Sequence, residues 1–282
     1  MGHRPIKQLI KRCLRAVGLE LRRVTPAEGF VIDRSSLPEM LQHIRRLGLV
    51  PKTVVDVGAA YGSFTRTCAA VFPDTKFLMV EPLIEYQGSL TEVVRAIPGS
   101  RYIAAAAAAC AGEITINVHQ DLVGSSLLQE VEQGSGVNGV PRHVRSVTVD
   151  QLAHAEHASG PYLLKIDVQG AELEVLRGAE ILLKEAEYVL LEVSLFQFFE
   201  GGPQFSDIVN YMTQRGFAVY DISGLQYRPL DQALSQADIA FVKEDGLFRR
   251  HHFYATPVQR AEQNARMKKH LSELVGDRTH DS

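Results

Sequence analysis

The sequence has no tryptophan and only three cysteines, Cys13, Cys68 and Cys110. They are odd in number and far apart, which excludes a disulfide framework and matches no zinc spacing. A reducing, cytoplasmic setting is therefore expected. No run of about 18 apolar residues exists, so no membrane-spanning helix is predicted. Charges interrupt the first residues throughout, leaving no apolar signal core. Met1-Gly2 opens like a myristoylation signal, but Ile6 stands where serine or threonine is required. A large charge excess is missing too. The 30 basic and 33 acidic residues leave a formal net charge of -3, which gives no global electrostatic case for nucleic acid. A P-loop lysine is absent as well, since no Gly-Lys-Ser/Thr occurs.

What remains is an alternation of strand-like and helix-like segments. Residues 1–49 read as a helical cap. Within it, Ile6, Leu9, Ile10, Cys13, Leu14 and Val17 fall at helical spacing with Lys7, Lys11, Arg12 and Arg15 between them. This basic amphipathic helix either caps the domain surface or makes a peripheral contact with anionic lipid or an acidic partner. A second helix is predicted over 37–47. Residues 50–245 then alternate. Strands are predicted at 53–58, 76–82, 101–109, 162–170, 187–196, 218–223 and 237–244. The helices lie at 63–72, 85–97, 171–184 and 205–215. The strand at 101–109 holds six alanines, and the alternation argues for it against their helical propensity. Near 112–150, period-two segments flank a long glycine- and serine-rich loop, which predicts an inserted β-hairpin. Residues 246–282 form a helical tail with an amphipathic helix over 257–274. The fold class expected is α/β: a doubly wound, mainly parallel seven-stranded sheet, with one of its last two strands antiparallel.

The most informative stretch is VVDVGAAYGSFT, Val54 to Thr65. A buried strand breaks into a turn with two glycines, Gly58 and Gly62, and restarts as a helix. A dinucleotide fold places a third glycine where Ala60 stands. The turn thus permits close approach, through Gly58, Ala59, Ala60, Tyr61 and Gly62, but offers no pyrophosphate cradle. That suits a ligand with an amino-acid end and a ribose end, such as S-adenosyl-L-methionine (AdoMet). Glu81-Pro82 ends the second strand, where a carboxylate accepts both hydrogen bonds of a ribose diol. NAD also carries that diol. Asp56, inside the apolar strand, either braces the amides of the turn or meets a cationic ammonium, because a buried carboxylate is costly unless bonded.

A second motif, LLKIDVQGAELEVLRGAE from Leu163 to Glu180, resembles the signature of the FkbM family of AdoMet-dependent methyltransferases. Its members carry Lys-Ile-Asp-Val-Glu-Gly-x-Glu followed by Leu-x-Gly-Ala. Here the run is Lys165-Ile166-Asp167-Val168-Gln169-Gly170-Ala171-Glu172, then Leu176-Arg177-Gly178-Ala179. The first turn, Glu81-Pro82, Gly124-Ser125-Ser126-Leu127, Val147-Thr148-Val149-Asp150 and Glu192 fit as well, so the resemblance spans roughly residues 50 to 245. It implies a class I methyltransferase sheet of order 3-2-1-4-5-7-6. It also implies methyl transfer from AdoMet, most often to a hydroxyl of a sugar or polyketide-type product. Two positions depart from the pattern: Ala60 replaces the usual asparagine and Gln169 a frequent glutamate. The second loss weakens a divalent-metal site among Asp167, Glu172 and Glu192, since hard cations prefer charged oxygens. No metal is expected.

A hydroxyl acceptor must lose its proton, which calls for a base. Asp167 is the leading candidate, with His119 and His143 as alternatives. Ser125 and Ser126 are expected to bind cofactor or acceptor. Lys165, in an otherwise apolar strand, needs a partner, either Asp150 or Glu192. The pair His154 and His157 reads as surface. A non-catalytic AdoMet- or nucleotide-binding module is the competing class, and an NAD-dependent oxidoreductase, disfavoured by Ala60, a third.

Overall fold

In a computed structural model the described residues are 36–132 and 137–276. The predicted basic helix over residues 6–17 lies outside them. Seven strands form the main sheet: β1 (Thr53–Val57), β2 (Lys76–Val80), β3 (Ser100–Ile103), β7 (Tyr162–Ile166), β8 (Ala186–Ser194), β9 (Phe217–Tyr227) and β10 (Leu234–Lys243). Their order is β3-β2-β1-β7-β8-β10-β9. Counted along the chain within this sheet, that is 3-2-1-4-5-7-6, the expected topology. Only β10 runs antiparallel to its neighbours, β8 and β9.

β1 is buried along its whole length, as a central parallel strand covered on both faces must be. Side chains alternate, so Val55 and Val57 join one face with Leu164, Ile166, Val189 and Leu191. Helices α4 (Val149–Ala155), α5 (Glu172–Arg177) and α6 (Phe205–Thr213) cover that face through Leu152, Val175, Leu176, Ile208 and Met212. On the other face Val54, Phe77, Leu163 and Tyr188 pack under α1 (Leu37–Arg46) and α2 (Ser63–Val71) through Leu41, Ile44, Phe64 and Cys68. Asp56 and Lys165 are paired across β1 and β7 and lie two residues beyond Val54 and Leu163. Period-two geometry therefore puts both charges on this second face, at its carboxyl-terminal rim.

A smaller sheet, β4-β6-β5, stands beside the rim. It comprises β4 (Ala106–Ala107), β5 (Gly112–Val118) and β6 (Val140–Val147), with β5 and β6 antiparallel. Ile116 and Val118 pack on Leu90 and Val93 of α3 (Gln87–Ala96). α7 (Pro257–Gly276) ends the described chain. No helix among the described residues is long and apolar enough to cross a membrane.

Several sequence-based boundaries differ, among them the strand expected over 162–170, which ends at Ile166, and the one over 218–223, which runs on to Tyr227. The strand expected over 101–109 is split: β3 stays in the main sheet and β4 crosses to the small one. The alanines serve this crossing rather than one strand: Ala105 to Ala108 are buried, and Ala106 and Ala107 line a cleft at the rim of the main sheet. The carbonyl of Ala108 lies so close to Gly178 that a Cβ there would collide with it. The helix expected over 171–184 stops at Arg177, with a 3-10 turn following at Leu182–Glu185. Asp150 takes the backbone N–H groups of Ile181 and Leu182 at 2.9 and 2.8 Å and so ends the helical ladder. The period-two segment at 144–152 is strand only to Val147. Thr148 then caps α4, its hydroxyl accepting the Gln151 N–H at 3.1 Å.

Candidate functional site

Two clefts open at the carboxyl ends of β1, β2, β7 and β8. Open α/β sheets bind ligands at that edge, where loops leave the strands. The lining of the first includes Gly58, Ala60, Glu81, Pro82, Leu83, Tyr86, Ile116, Ser125, Leu127 and Asp167. The lining of the second includes Ala59, Tyr61, Phe64, Lys165, Glu192 and Asp238. Gly58, Ala60 and Asp167 line both, so the clefts meet at the turn after β1 and the end of β7.

That junction is tight. Gly58 has φ +71°, and a Cβ on it would run into the carbonyl oxygen of Asp167. Only glycine allows the two loops to touch there. Gly62 has φ +76°, and a Cβ there would press on Val93 of α3. Ala60 takes φ +45°, a conformation L residues rarely adopt, and its N–H is anchored by Glu81 Oε2 at 3.0 Å. Glu81 Oε1 accepts the Leu83 N–H at 2.9 Å. This carboxylate is 5% exposed and fixes the first turn to the loop after β2. Burial raises its pKa, and the two amides oppose the rise. Burial also pushes the Tyr86 phenol to about 12, with the Glu81 charge adding to the effect.

Asp56 is fully buried and lines neither cleft. It accepts a hydrogen bond from Thr65 Oγ1 at 2.7 Å and pairs with Lys165 Nζ at 3.4 Å. The expectation that it braces the turn's amides gives way to an indirect brace. Lys165 Nζ donates to the Gly58 carbonyl at 2.8 Å and pairs with Asp167 Oδ2 at 3.3 Å. The partner expected for Lys165, Asp150 or Glu192, is therefore replaced by Asp56 and Asp167, which the β1–β7 register places beside it. Burial disfavours the Lys165 charge, but Asp167 and Asp56 outweigh it and raise its pKa. Asp56 is pushed up by burial and pulled back by Lys165 and Thr65.

Ser125 lines the first cleft, and its Oγ accepts the His119 N–H at 3.0 Å. Ser126 donates from Oγ to the Gln169 carbonyl at 2.6 Å. The ring of His119 is turned to Asp121, 2.8 Å away, and His143 lies exposed on β6 facing Thr115. Neither histidine lines a cleft.

Asp238 and the wall residues Ile116 and Leu122 escaped sequence reasoning, and the surroundings of Glu172 and Glu192, which it named, appear only in the fold. Asp238 on β10 sits opposite Glu192 across an antiparallel register that a linear reading does not supply. Burial, reinforced by Asp167, lifts Asp238 to about 6. Burial and the Asp167 charge push Glu192 to about 8, against the hydrogen bond it accepts from Gln169. Glu172 is buried and accepts the Gly170 N–H at 2.8 Å, and burial pushes it to about 7. The apolar wall from Ile116, Leu122 and Leu127 comes from the insertion, and nothing in its alternating pattern shows which face looks onto the cleft. Among the described residues no group of three or more His, Cys, Asp or Glu is gathered to hold a metal ion.

Comparison with known proteins bears on this site. The sequence profile of the methyltransferase FkbM domain matches residues 56–219. No curated protein matches the sequence. Among solved structures, the chain is similar to methyltransferase FkbM from Methylobacillus flagellatus KT, at 16% identity and a TM-score of 0.44. That match covers 67% of this chain and 43% of the other, so the chain spans less than half the length of that protein. An rRNA methylase from Streptococcus thermophilus is 13% identical over 76% of this chain and 99% of its own, with a TM-score of 0.41. A Streptococcus mutans protein described as a methyltransferase, in complex with SAH, is 13% identical with a TM-score of 0.40, over 74% and 98% of the two chains.

Proposed function

The chain belongs to the FkbM methyltransferase family, and on that premise we propose that it methylates a hydroxyl of a small molecule or glycan with AdoMet as donor. One observation carries the reading. A mostly apolar cleft meets a second, carboxylate-lined cleft at the turn where Gly58 touches Asp167.

The residues of the first cleft fit the donor. Glu81 has both oxygens oriented by backbone amides and keeps lone pairs free for a ribose diol. Leu83, Tyr86, Ile116 and Leu127 supply flat, apolar surface of the kind an adenine ring packs against. Gly58 and Ala60 present bare backbone where the amino-acid end would lie. AdoMet, when bound, supplies a methyl group already activated on a sulfonium. The chain's own part is to orient the acceptor and take its proton. Among the described residues, Asp167 is the one carboxylate that lines both clefts. We assign it the proton of the acceptor hydroxyl, which moves to a carboxylate oxygen as the oxygen–methyl bond forms. Lys165 holds the other side of that carboxylate, so the group is fixed in orientation before the acceptor arrives. Domain limits at 50 and 245 follow the same reading, with the sheet and its insertion as the donor-binding body.

Calorimetry of the purified chain with AdoMet, SAH and NAD, each alone, tests the donor. AdoMet and SAH are expected to bind and NAD to give no heat. A panel of hydroxylated sugars and macrolides with methyl-labelled AdoMet tests the acceptor. Binding of NAD alone would overturn the reading.

A further inference from the structure

Gln169 occupies an unusual position at the junction of the two clefts. Its backbone has φ +54°, in the left-handed region that residues with a side chain rarely adopt. Ser126 Oγ holds that conformation by donating to the Gln169 carbonyl at 2.6 Å. The next residue, Gly170, also has positive φ, and Phe199 packs against it so closely that a Cβ would strike its ring. The turn is thus locked from both sides, and what it delivers is the Gln169 side chain.

The side-chain amide reaches two carboxylates. Nε2 donates to Glu192 Oε2 at 2.6 Å and to Asp167 Oδ1 at 3.3 Å. Gln236 Nε2 in turn donates to Gln169 Oε1 at 3.4 Å and to Glu192 Oε2 at 3.0 Å, which sets the amide the right way round. Gln226 Nε2 donates to Glu192 Oε1 at 2.7 Å. Glu192 is therefore surrounded by neutral donors, while Lys165 serves Asp167 and Asp56. An amide donor ties Asp167 to Glu192 whether Glu192 is ionised or protonated, because a protonated carboxyl keeps an acceptor oxygen. A neutral amide bridges them without adding a charge of its own.

We propose that Gln169 is a positioning residue: its side-chain amide clamps the carboxylates of Asp167 and Glu192 in one arrangement at the junction of the two clefts. The inference rests on the reading of Asp167 as the group that takes the acceptor's proton. A carboxylate with Oδ2 held by Lys165 and Oδ1 held by Gln169 cannot rotate its plane away from the acceptor. Without the amide only Lys165 restrains it, and Oδ1 is left free to swing away from the acceptor.

The test uses the full chain with Gln169→Met, which keeps length and removes the donor, and Gln169→Glu, which keeps shape and exchanges the donor for a charge. The charged groups facing this position are Asp167, Glu192, Asp238, Glu172, Lys165 and, behind them, Asp56. Three readouts are taken: AdoMet affinity by calorimetry, methyl transfer across pH with an acceptor from the hydroxyl panel, and the carbon-13 titration of the Glu192 carboxyl, assigned with Glu192→Gln. Gln169→Met is expected to lower kcat by about tenfold or more while AdoMet affinity stays within about threefold. The Glu192 midpoint is expected to rise above that of the native chain as its shortest hydrogen bond is lost. Gln169→Glu is expected to lose rate at alkaline pH and regain it as the pH falls, because the protonated carboxyl donates again. Native kcat with an unmoved Glu192 midpoint overturns the proposal. So does a rate loss that follows AdoMet affinity, which marks a cofactor or folding residue. If the Met variant does not fold, the isosteric Glu variant decides by its pH profile. If the panel yields no acceptor, the Glu192 midpoint decides. Failure of the donor reading is seen separately, as absence of AdoMet heat with the native chain.

Discussion

Replacing Lys165 with methionine removes the cation paired with buried Asp56, and the cost can be worked out. Asp56 is fully buried and depends on Lys165 and Thr65 for compensation. Truncating one partner of a buried pair typically costs about 3–5 kcal/mol. The chain has one escape, which is to protonate Asp56. With an unfolded-state pKa of about 3.9, protonation costs about 4 kcal/mol at pH 7 and only about 1.5 at pH 5. The lost hydrogen bond to the Gly58 carbonyl adds about 1 kcal/mol at either pH. The sign follows from proton binding. The folded variant holds a proton that the unfolded chain releases, so its stability falls as pH rises through the range between the two pKa values. Urea unfolding of Lys165→Met should therefore show a loss at pH 7 of up to about 5 kcal/mol, relaxing by roughly half at pH 5. In thermal unfolding near pH 7, a chain of this size should lose roughly 10–20 °C. A loss of equal size at both pH values, or one below about 1 kcal/mol, would refute the assignment of Lys165 as the counter-ion of Asp56.

Further outcomes follow from the same geometry. Glu81→Ala removes the ribose acceptor and the anchor of Ala60, and AdoMet affinity should fall about tenfold to a hundredfold by calorimetry, an energy of roughly 1.4 to 2.7 kcal/mol. Unchanged affinity would take Glu81 out of the donor cleft. Asp167→Asn keeps the shape and removes the basicity, so kcat should drop about 10² to 10⁴-fold with AdoMet affinity nearly intact. Glu172→Gln should make the stability curve shallower. The native carboxyl, pushed to about 7 by burial, retains its proton in the folded state, so native stability declines from about pH 4.5 to 7, and the amide removes that share of the decline. Unfolding midpoints at pH 5 and 7.5 measure it.

How much of this was legible in the sequence depends on the scale of the cause. The sheet was legible because parallel strands buried on both faces write themselves as apolar runs, as TVVDV and YLLKI do, and because helices must alternate with them. The glycine turn and Glu81 were legible because φ and close approach restrict residue type at one position. Lys165 was seen to need a partner, yet the wrong ones were expected, since choosing Asp56 requires the register of β1 against β7. The alanine run misled for a related reason. Small side chains signal crowding, and crowding at a crossing between two sheets looks, in one dimension, like any other run. Gln169 was read only as a missing charge. Its work lies in a backbone conformation and in hydrogen bonds to strands that arrive more than twenty residues later.

The outer wall of the donor cleft has its own consequence. Ile116, Leu122 and Leu127 belong to the insertion, which is stitched to the loop after β8 by the Val131 N–H to Phe198 and the Glu200 N–H to Gln129. The floor and the wall above it therefore come from different parts of the chain, tied at one residue: Ser126 of the insertion holds the Gln169 carbonyl. Substitutions at Ile116, Leu122 or Leu127 change what fits against the wall, whereas a shift of Ser126 reaches the charges on the strand ends as well.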